Sequence, residues 1–288
     1  MTKNKQISQS LKETRERRQT QSCKSYQLKI DKSHLSIETS KQLKMLFVEA
    51  KWLYNHLLSL ERGKVFDYDY RNKKVNVLNK IREVEERELL HLGSQVKQEI
   101  VSRLIDNIRG LSAKKKKGGR IGNLKFKSRI GSIPLKQYDV TYRIKGDKYI
   151  KVQGVKQKIR VQGLKQIPAG VEYASAVLTN CGKDYWLKVS CYLPKTTRVM
   201  TGRAVGIDFG IKDSITLSTK EKFNVCIPES KRVKQIQKQL ARKVKHSKNW
   251  YKTKDLLAKA YEDINNQKKD KKNKIVSYIT KNFDIVCV

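Results

Sequence analysis

Acidic residues are scarce in this chain of 288 residues: 27 Asp and Glu stand against 65 Lys and Arg, a formal charge of +38. Self-repulsion on that scale is tolerable only where a polyanion or counterions offset it, so nucleic acid is the expected partner. Long hydrophobic runs are missing as well. No apolar stretch approaches the roughly 20 residues that a spanning helix needs, and the polar stretch Met1 to Arg18 has no apolar segment of the secretory kind, so neither insertion nor secretion is indicated. Cysteine is sparse. Cys23, Cys181, Cys191, Cys226 and Cys287 fall at irregular spacings with no C-x-x-C pair, which argues against a disulfide framework or a zinc cluster and fits a reducing cytoplasm. His34, His56, His91 and His246 are isolated from one another, with no ligand spacing, and read as structural or surface residues.

The length suggests about two domains. Residues 1–20 have the polar composition of a flexible basic arm. Tyr26, Leu28 and Ile30 alternate as one face of a short strand. From Thr39 to Leu58 the apolar residues recur at helical spacing, with Thr39 and Gln42 as a capping box and Gly63 marking the end. Residues 64–93 are weakly patterned. A second helix starts near Ser94, carries Val96, Ile100, Leu104 and Ile108 in one stripe, and stops at Gly110. Lys114-Lys115-Lys116-Lys117-Gly118-Gly119-Arg120 then reads as a basic loop and a boundary.

Residues 124–195 are β-rich, with Val140, Tyr142 and Ile144 alternating. A last hairpin runs from Ala174 to Thr179 and from Tyr185 to Leu193 through Asn180-Cys181-Gly182-Lys183, closed by Pro194. Beyond a short linker, Ala204 to Asp208 and Ile215 to Ser218 read as strands. Two basic helices follow, one carrying Val233, Ile236, Leu240 and Val244, the other running from about Asn249 to Lys281. Phe283 to Val288 reads as a further strand.

Asp208 sits at a strand end among small and apolar residues, where a carboxylate projects from a rigid element. Three readings stand. It could begin the turn at Gly210 by satisfying backbone donors. It could serve a metal-bound nucleotide, as in the sugar-kinase, actin and heat-shock ATPase core. Or it could be one of several carboxylates around two divalent ions in phosphodiester cleavage, which one carboxylate cannot accomplish alone. Asp213 and Asp284, its nearest acidic companions, are not expected to be catalytic. Basic residues recur through the β region and the late helices, interleaved with Tyr138, Tyr142, Tyr149, Trp186, Trp250 and Tyr251. Phosphate neutralisation and base stacking are therefore both available.

Four segments, in order, resemble the transposon-encoded TnpB (OrfB-type) proteins, relatives of the type V CRISPR effector nucleases. They are Lys51-Trp52-Leu53-Tyr54-Asn55, Asn123-Leu124-Lys125-Phe126-Lys127-Ser128-Arg129, Val205-Gly206-Ile207-Asp208-Phe209-Gly210-Ile211-Lys212, and Arg242-Lys243-Val244-Lys245-His246-Ser247-Lys248-Asn249. The resemblance implies an α+β, multi-domain fold: a split oligonucleotide-binding-like β-barrel (21–33 and 119–200), an inserted helical recognition lobe (34–118), and a partial RNase H-like (RuvC-type) α/β domain (201–288) with a helical hairpin. It implies guide RNA and target DNA as partners, no membrane, and a cytoplasmic, nucleoid-associated location of prokaryotic type. The activity implied is magnesium-dependent DNA cleavage, in which base pairing reads sequence and protein reads duplex shape.

Asp208 matches the family's first catalytic carboxylate and would be a magnesium ligand if the site were completed. Nucleic-acid contacts are expected from Lys114, Lys115, Lys116, Lys117, Arg120, Lys125, Lys127, Arg129, Arg242, Lys243, Lys245 and Lys248. In the family, the strand resembling Phe283 to Val288 leads into a catalytic glutamate, followed by a four-cysteine zinc module and a third carboxylate. The expectation here is thus a catalytically incomplete portion of such a protein. The alternatives are a non-cleaving RNA-guided DNA-binding protein and a generic basic RNA-binding protein.

Overall fold

The computed structural model describes residues 3–79, 81–181, 184–196, 200–211, 213–228 and 230–288. It divides into two compact units, 1–195 and 196–288.

The first unit begins with a helix, α1 (Lys3–Gln19), where composition alone leads to a flexible arm. Its anchorage explains the difference. Both Arg17 and Arg18 hydrogen-bond the Glu172 carboxylate, at 3.0 and 2.8 Å, and the Arg18 guanidinium lies 4.3 Å from the centre of the Tyr192 ring. Cations in a last turn also suit the negative end of the helix dipole. The hydrogen bond from Arg17, followed by that from Arg18, holds the Glu172 carboxyl below its ordinary value of 4.5. A carboxylate with a depressed folded value stabilises above its unfolded value and loses that contribution as pH falls through the folded one. Acidification below about pH 4.5 is therefore expected to release α1. Amide exchange over 3–19 that stays unchanged between neutral and strongly acidic buffer would contradict this.

Strand β1 (Gln21–Ile30) leads through a single 3-10 turn into α2 (Ile37–Ser59). The cap of α2 is Ser36, whose hydroxyl accepts from Thr39 N at 3.1 Å, three residues earlier than Thr39 itself as the pattern suggests. Thr39 and Gln42 instead bond the segment between Val152 and Ile159: Thr39 donates to Gln157 Oε1, and Gln42 Oε1 accepts from Lys156 N. A short α3 (Arg62–Phe66) and a hairpin, β2 (Lys74–Leu78) with β3 (Val84–Glu88), fill the weakly patterned stretch. β3 has little apolar content and is set by its register against β2, where Val75 and Val77 are buried.

Helix α4 (Ser94–Lys116) continues past Gly110 to the lysine run. Gly110 has open space where a Cβ would stand and costs the helix only about 1 kcal/mol relative to alanine. The stop comes at Gly118, whose φ of +74° provides the left-handed end, its N–H returning to Lys115 O. Lys114, Lys115 and Lys116 thus form the last helical turn and not a loop.

Strands β4 (Ser132–Leu135), β5 (Tyr142–Lys145), β6 (Tyr149–Val152), β7 (Ile159–Gln162), β8 (Glu172–Cys181) and β9 (Asp184–Pro194) complete a seven-stranded antiparallel sheet with β1, in the order β4-β8-β9-β1-β7-β6-β5. Val140 falls in the turn before β5 and is exposed. Cys181 pairs with Asp184, and the expected turn residues Gly182 and Lys183 lie outside the described residues. The sheet is nearly closed. Tyr142, on its last strand, is buried and donates its hydroxyl to Ala174 O of β8, near the opposite end. Leu28, Ile150, Ile159, Leu178, Leu187 and Val189 line its inner face and merge with α2 and α4 in one hydrophobic cluster.

The second unit has a four-stranded sheet in the order β12-β11-β10-β13, from β10 (Ala204–Asp208), β11 (Ile215–Leu217), β12 (Lys222–Phe223) and β13 (Ile285–Cys287). β10 and β13 are parallel; the other pairs are antiparallel. Between β12 and β13 come α5 (Lys231–Ala241) and α6 (Lys248–Asn282). Ile275, Ile279 and Phe283 bury Val205 and Leu217 on one face of the sheet, while Val233, Ile236 and Ala260 join the two helices.

Candidate nucleic-acid interface

Asp208 is the last residue of β10 and is exposed. Val205 is buried against α6, so Asp208, three residues on, projects from the opposite face with Gly206. It forms a cross-strand row with Thr216 and Lys222. Lys222 Nζ is held 3.1 Å from Asp213 Oδ2, which gives Asp213 a positioning task in the turn. Asp284 accepts from Gly202 N at 2.7 Å and from Thr201 Oγ1 at 2.8 Å, fixing the chain as it enters β10. Lys212, part of the motif, lies outside the described residues.

Among the described residues, no group of three or more His, Cys, Asp or Glu side chains is placed to hold a metal ion. A two-ion centre needs several carboxylates, and the described side chains around Asp208 do not fit one. The cysteines are free. Cys191 is buried, and burial pushes its thiol up to about 11. They do not gather into a zinc site among the described residues.

The basic candidates form one group in each unit. In the first, Lys114, Lys115, Lys116 and Lys117 are consecutive and exposed, so they encircle the end of α4 and do not share one face. Arg120, Lys125, Lys127 and Arg129 continue from it, all exposed in an extended segment. That segment is clamped. Asn55 on α2 donates from Nδ2 to Lys127 O and accepts from Lys127 N, both at 2.9 Å, completing a strand-like pair with a side chain. Tyr54, next to it, lies under the Lys127 ammonium at 4.2 Å. Two of the sequence segments that carried the resemblance therefore meet here. In the second unit Arg242, Lys243, Lys245 and Lys248 are all exposed around the turn between α5 and α6.

The aromatic residues divide by location. Tyr138 stacks on Tyr173 at 4.7 Å and Tyr142 is core. Trp186 lies on the outer sheet face, half-buried, with the Lys29 ammonium 5.4 Å from its ring centre and Lys29 itself bonded to Asp184 at 2.7 Å. Tyr149 meets Lys158. Trp52, on α2, carries Arg87 from β3 at 4.7 Å. The Lys29 and Arg87 contacts escape a sequence reading because their partners are remote along the chain.

Residues 187–288 match the model of the family OrfB_IS605, described as a probable transposase. A putative RNA-guided DNA endonuclease, InsQ of Escherichia coli strain K12, is 29% identical over 134 residues, covering 45% of this chain. The matched part spans 33% of that relative, about a third of its length. No helix among the described residues is long and apolar enough to cross a membrane. The chain is thus similar to the OrfB-type (TnpB) family that its motifs indicate, and its match to that family's model lies over residues 187–288.

Proposed function

We propose that this chain is a TnpB-like protein that binds a guide RNA and, through it, DNA, with Asp208 in the position of the first carboxylate of an RNase H-like nuclease centre. The observation that carries the reading is Asp208 itself, exposed at the end of a strand that has an antiparallel neighbour on one side and a parallel neighbour on the other. Supporting it, β13 runs parallel to β10 with Cys287 opposite Gly206. That register, carried forward, brings the position after Val288 level with Asp208, where the family has its glutamate. The nearly closed sheet supports the oligonucleotide-binding-like reading of 21–33 and 119–200, and the two exposed basic groups supply sites for phosphate.

The test is the RNA that purifies with the full chain from its host. The expected result is one discrete class of RNA from a transposon end. Heterogeneous RNA without enrichment would overturn guidance and leave a basic RNA-binding protein. A second reading is guided binding without cutting, in keeping with the described residues, among which no group of three or more His, Cys, Asp or Glu is placed to hold a metal ion. On that reading the polypeptide of residues 1–288 gives no magnesium-dependent cleavage of DNA. Cutting that Asp208→Ala abolishes would contradict it.

A further inference from the structure

We infer that the tip of the α5–α6 hairpin is a stacking platform for an unpaired base of a nucleic-acid strand, with Tyr251 as the platform. The inference rests on the nucleic-acid reading above and adds to it a site, a ligand group and a position relative to Asp208.

Three rings converge at the tip. His246 lies 5.5 Å from Trp250, and Trp250 meets Tyr251 edge-on at 5.1 Å. The Tyr251 hydroxyl is 3.3 Å from His246 Nδ1, and the Ser247 hydroxyl caps α6 by accepting from Trp250 N. Trp250 is half-buried and its ring also carries the Lys254 ammonium at 4.9 Å. Tyr251 is different: it is 51% exposed, although its ring is fixed from two sides. A large ring held in one orientation and left open to solvent loses little entropy when a base stacks on it. Arg242, Lys243, Lys245, Lys248 and Lys252 lie within nine residues of it along the chain, all exposed, and supply cations for the flanking phosphates. This charge complementarity selects a nucleic-acid strand over an apolar partner.

The direction of the arm follows from contacts within the same unit. Tyr278 bonds Glu221 just before β12, whereas Lys271 reaches Cys226 O beyond it. Traced towards its N-terminus, α6 therefore runs the same way as β12 and β10, towards the edge where Asp208 lies. From Lys271 to Lys248 the helix extends about 35 Å further at 1.5 Å per residue. The tip therefore lies on the Asp208 side of this unit, beyond the level of Lys271 by that length.

The experiment uses the full chain with two probes, a short single-stranded oligothymidylate and a blunt duplex of the same length, at low salt. Tyr251→Ala is expected to weaken the single strand about tenfold, with an unchanged salt slope and little effect on the duplex. Tyr251→Phe, which keeps the ring, is expected to bind like the parent. If the parent binds the single strand with steep salt dependence and Tyr251→Ala binds equally well, the platform is wrong and the nucleic-acid reading stands. Equal losses for Ala and Phe, or for strand and duplex, would likewise overturn it. Failure of the parent to bind either probe would bring down the nucleic-acid reading and the platform with it.

Discussion

Raising salt from about 50 mM to about 200 mM should weaken nucleic-acid binding by this chain by about a thousandfold or more, the loss expected when about six to ten phosphates are neutralised. The reason lies in how the positive charge is displayed. Lys114 to Lys117, Arg120, Lys125, Lys127 and Arg129 are exposed in the first unit, and Arg242, Lys243, Lys245 and Lys248 in the second. Exposed cations gain little from direct pairing in water, and their contribution comes mainly from counterions released off the polyanion. Replacing Lys125 and Arg129 together by alanine should reduce the slope of log affinity against log salt by about two, because each phosphate contributes close to one. Lys127 is a poorer choice, since its backbone is held by Asn55 and its ammonium by Tyr54. A titration in which affinity barely changes with salt would remove the electrostatic basis of the proposal.

Glu49→Ala should lower the stability of the first unit by about 3–5 kcal/mol, the loss expected when several hydrogen-bond donors lose a shared buried acceptor. Glu49 is 1% exposed on α2. Its carboxylate accepts from His91 N at 2.8 Å, from Leu92 N at 3.1 Å and from His91 Nδ1 at 2.6 Å, tying down the loop between β3 and α4. The loop is gripped from its other side as well. At Gly154, with φ of +84°, a Cβ would stand 2.0 Å from His91 O, so only glycine fits. Without the carboxylate, the His91 and Leu92 backbone donors are left without their acceptor, each costing about 1–3 kcal/mol, and the half-buried His91 ring loses its partner. For a unit of this size the melting temperature should fall by about 10 °C. Exchange of the His91 and Leu92 amides should accelerate ahead of the rest. Glu49→Gln, which keeps one acceptor oxygen, should fall between. A melting temperature for Glu49→Ala within about 2 °C of the parent would show that the loop is held by its apolar residues Leu89 and Leu92 alone.

Much of the helical framework is legible in the residues. The stripes Leu43–Leu57 and Val96–Leu104 do face the core, and α6 spans nearly the expected stretch. Helix ends were less legible, because they depend on which of several competent residues the tertiary structure uses. Ser36 caps α2, while Thr39 and Gln42 bond the loop between β6 and β7. Gly110 is tolerated within α4 because Gly118 provides a better end. α1 was hidden for a different reason, since it has no apolar face and docks through Arg17 and Arg18 on a glutamate more than 150 positions away. β12 is two residues long and held by pairing with β11, too short for alternation to register. At the candidate site, Asp208 and the basic groups could be named from sequence. Asn55 as the clamp on Lys127, and the fixing of Tyr251 by Trp250 and His246, could not, because both are matters of distance and orientation.

The central claim is guidance: a bound RNA, and not the protein alone, selects the DNA. It is tested most directly by isolating the chain with its RNA and measuring its affinity for two duplexes, one complementary to the RNA's variable end and one scrambled in that stretch. The account predicts clear preference for the complementary duplex, lost when the RNA is digested. Equal affinity for both duplexes, unchanged by digestion, would contradict it.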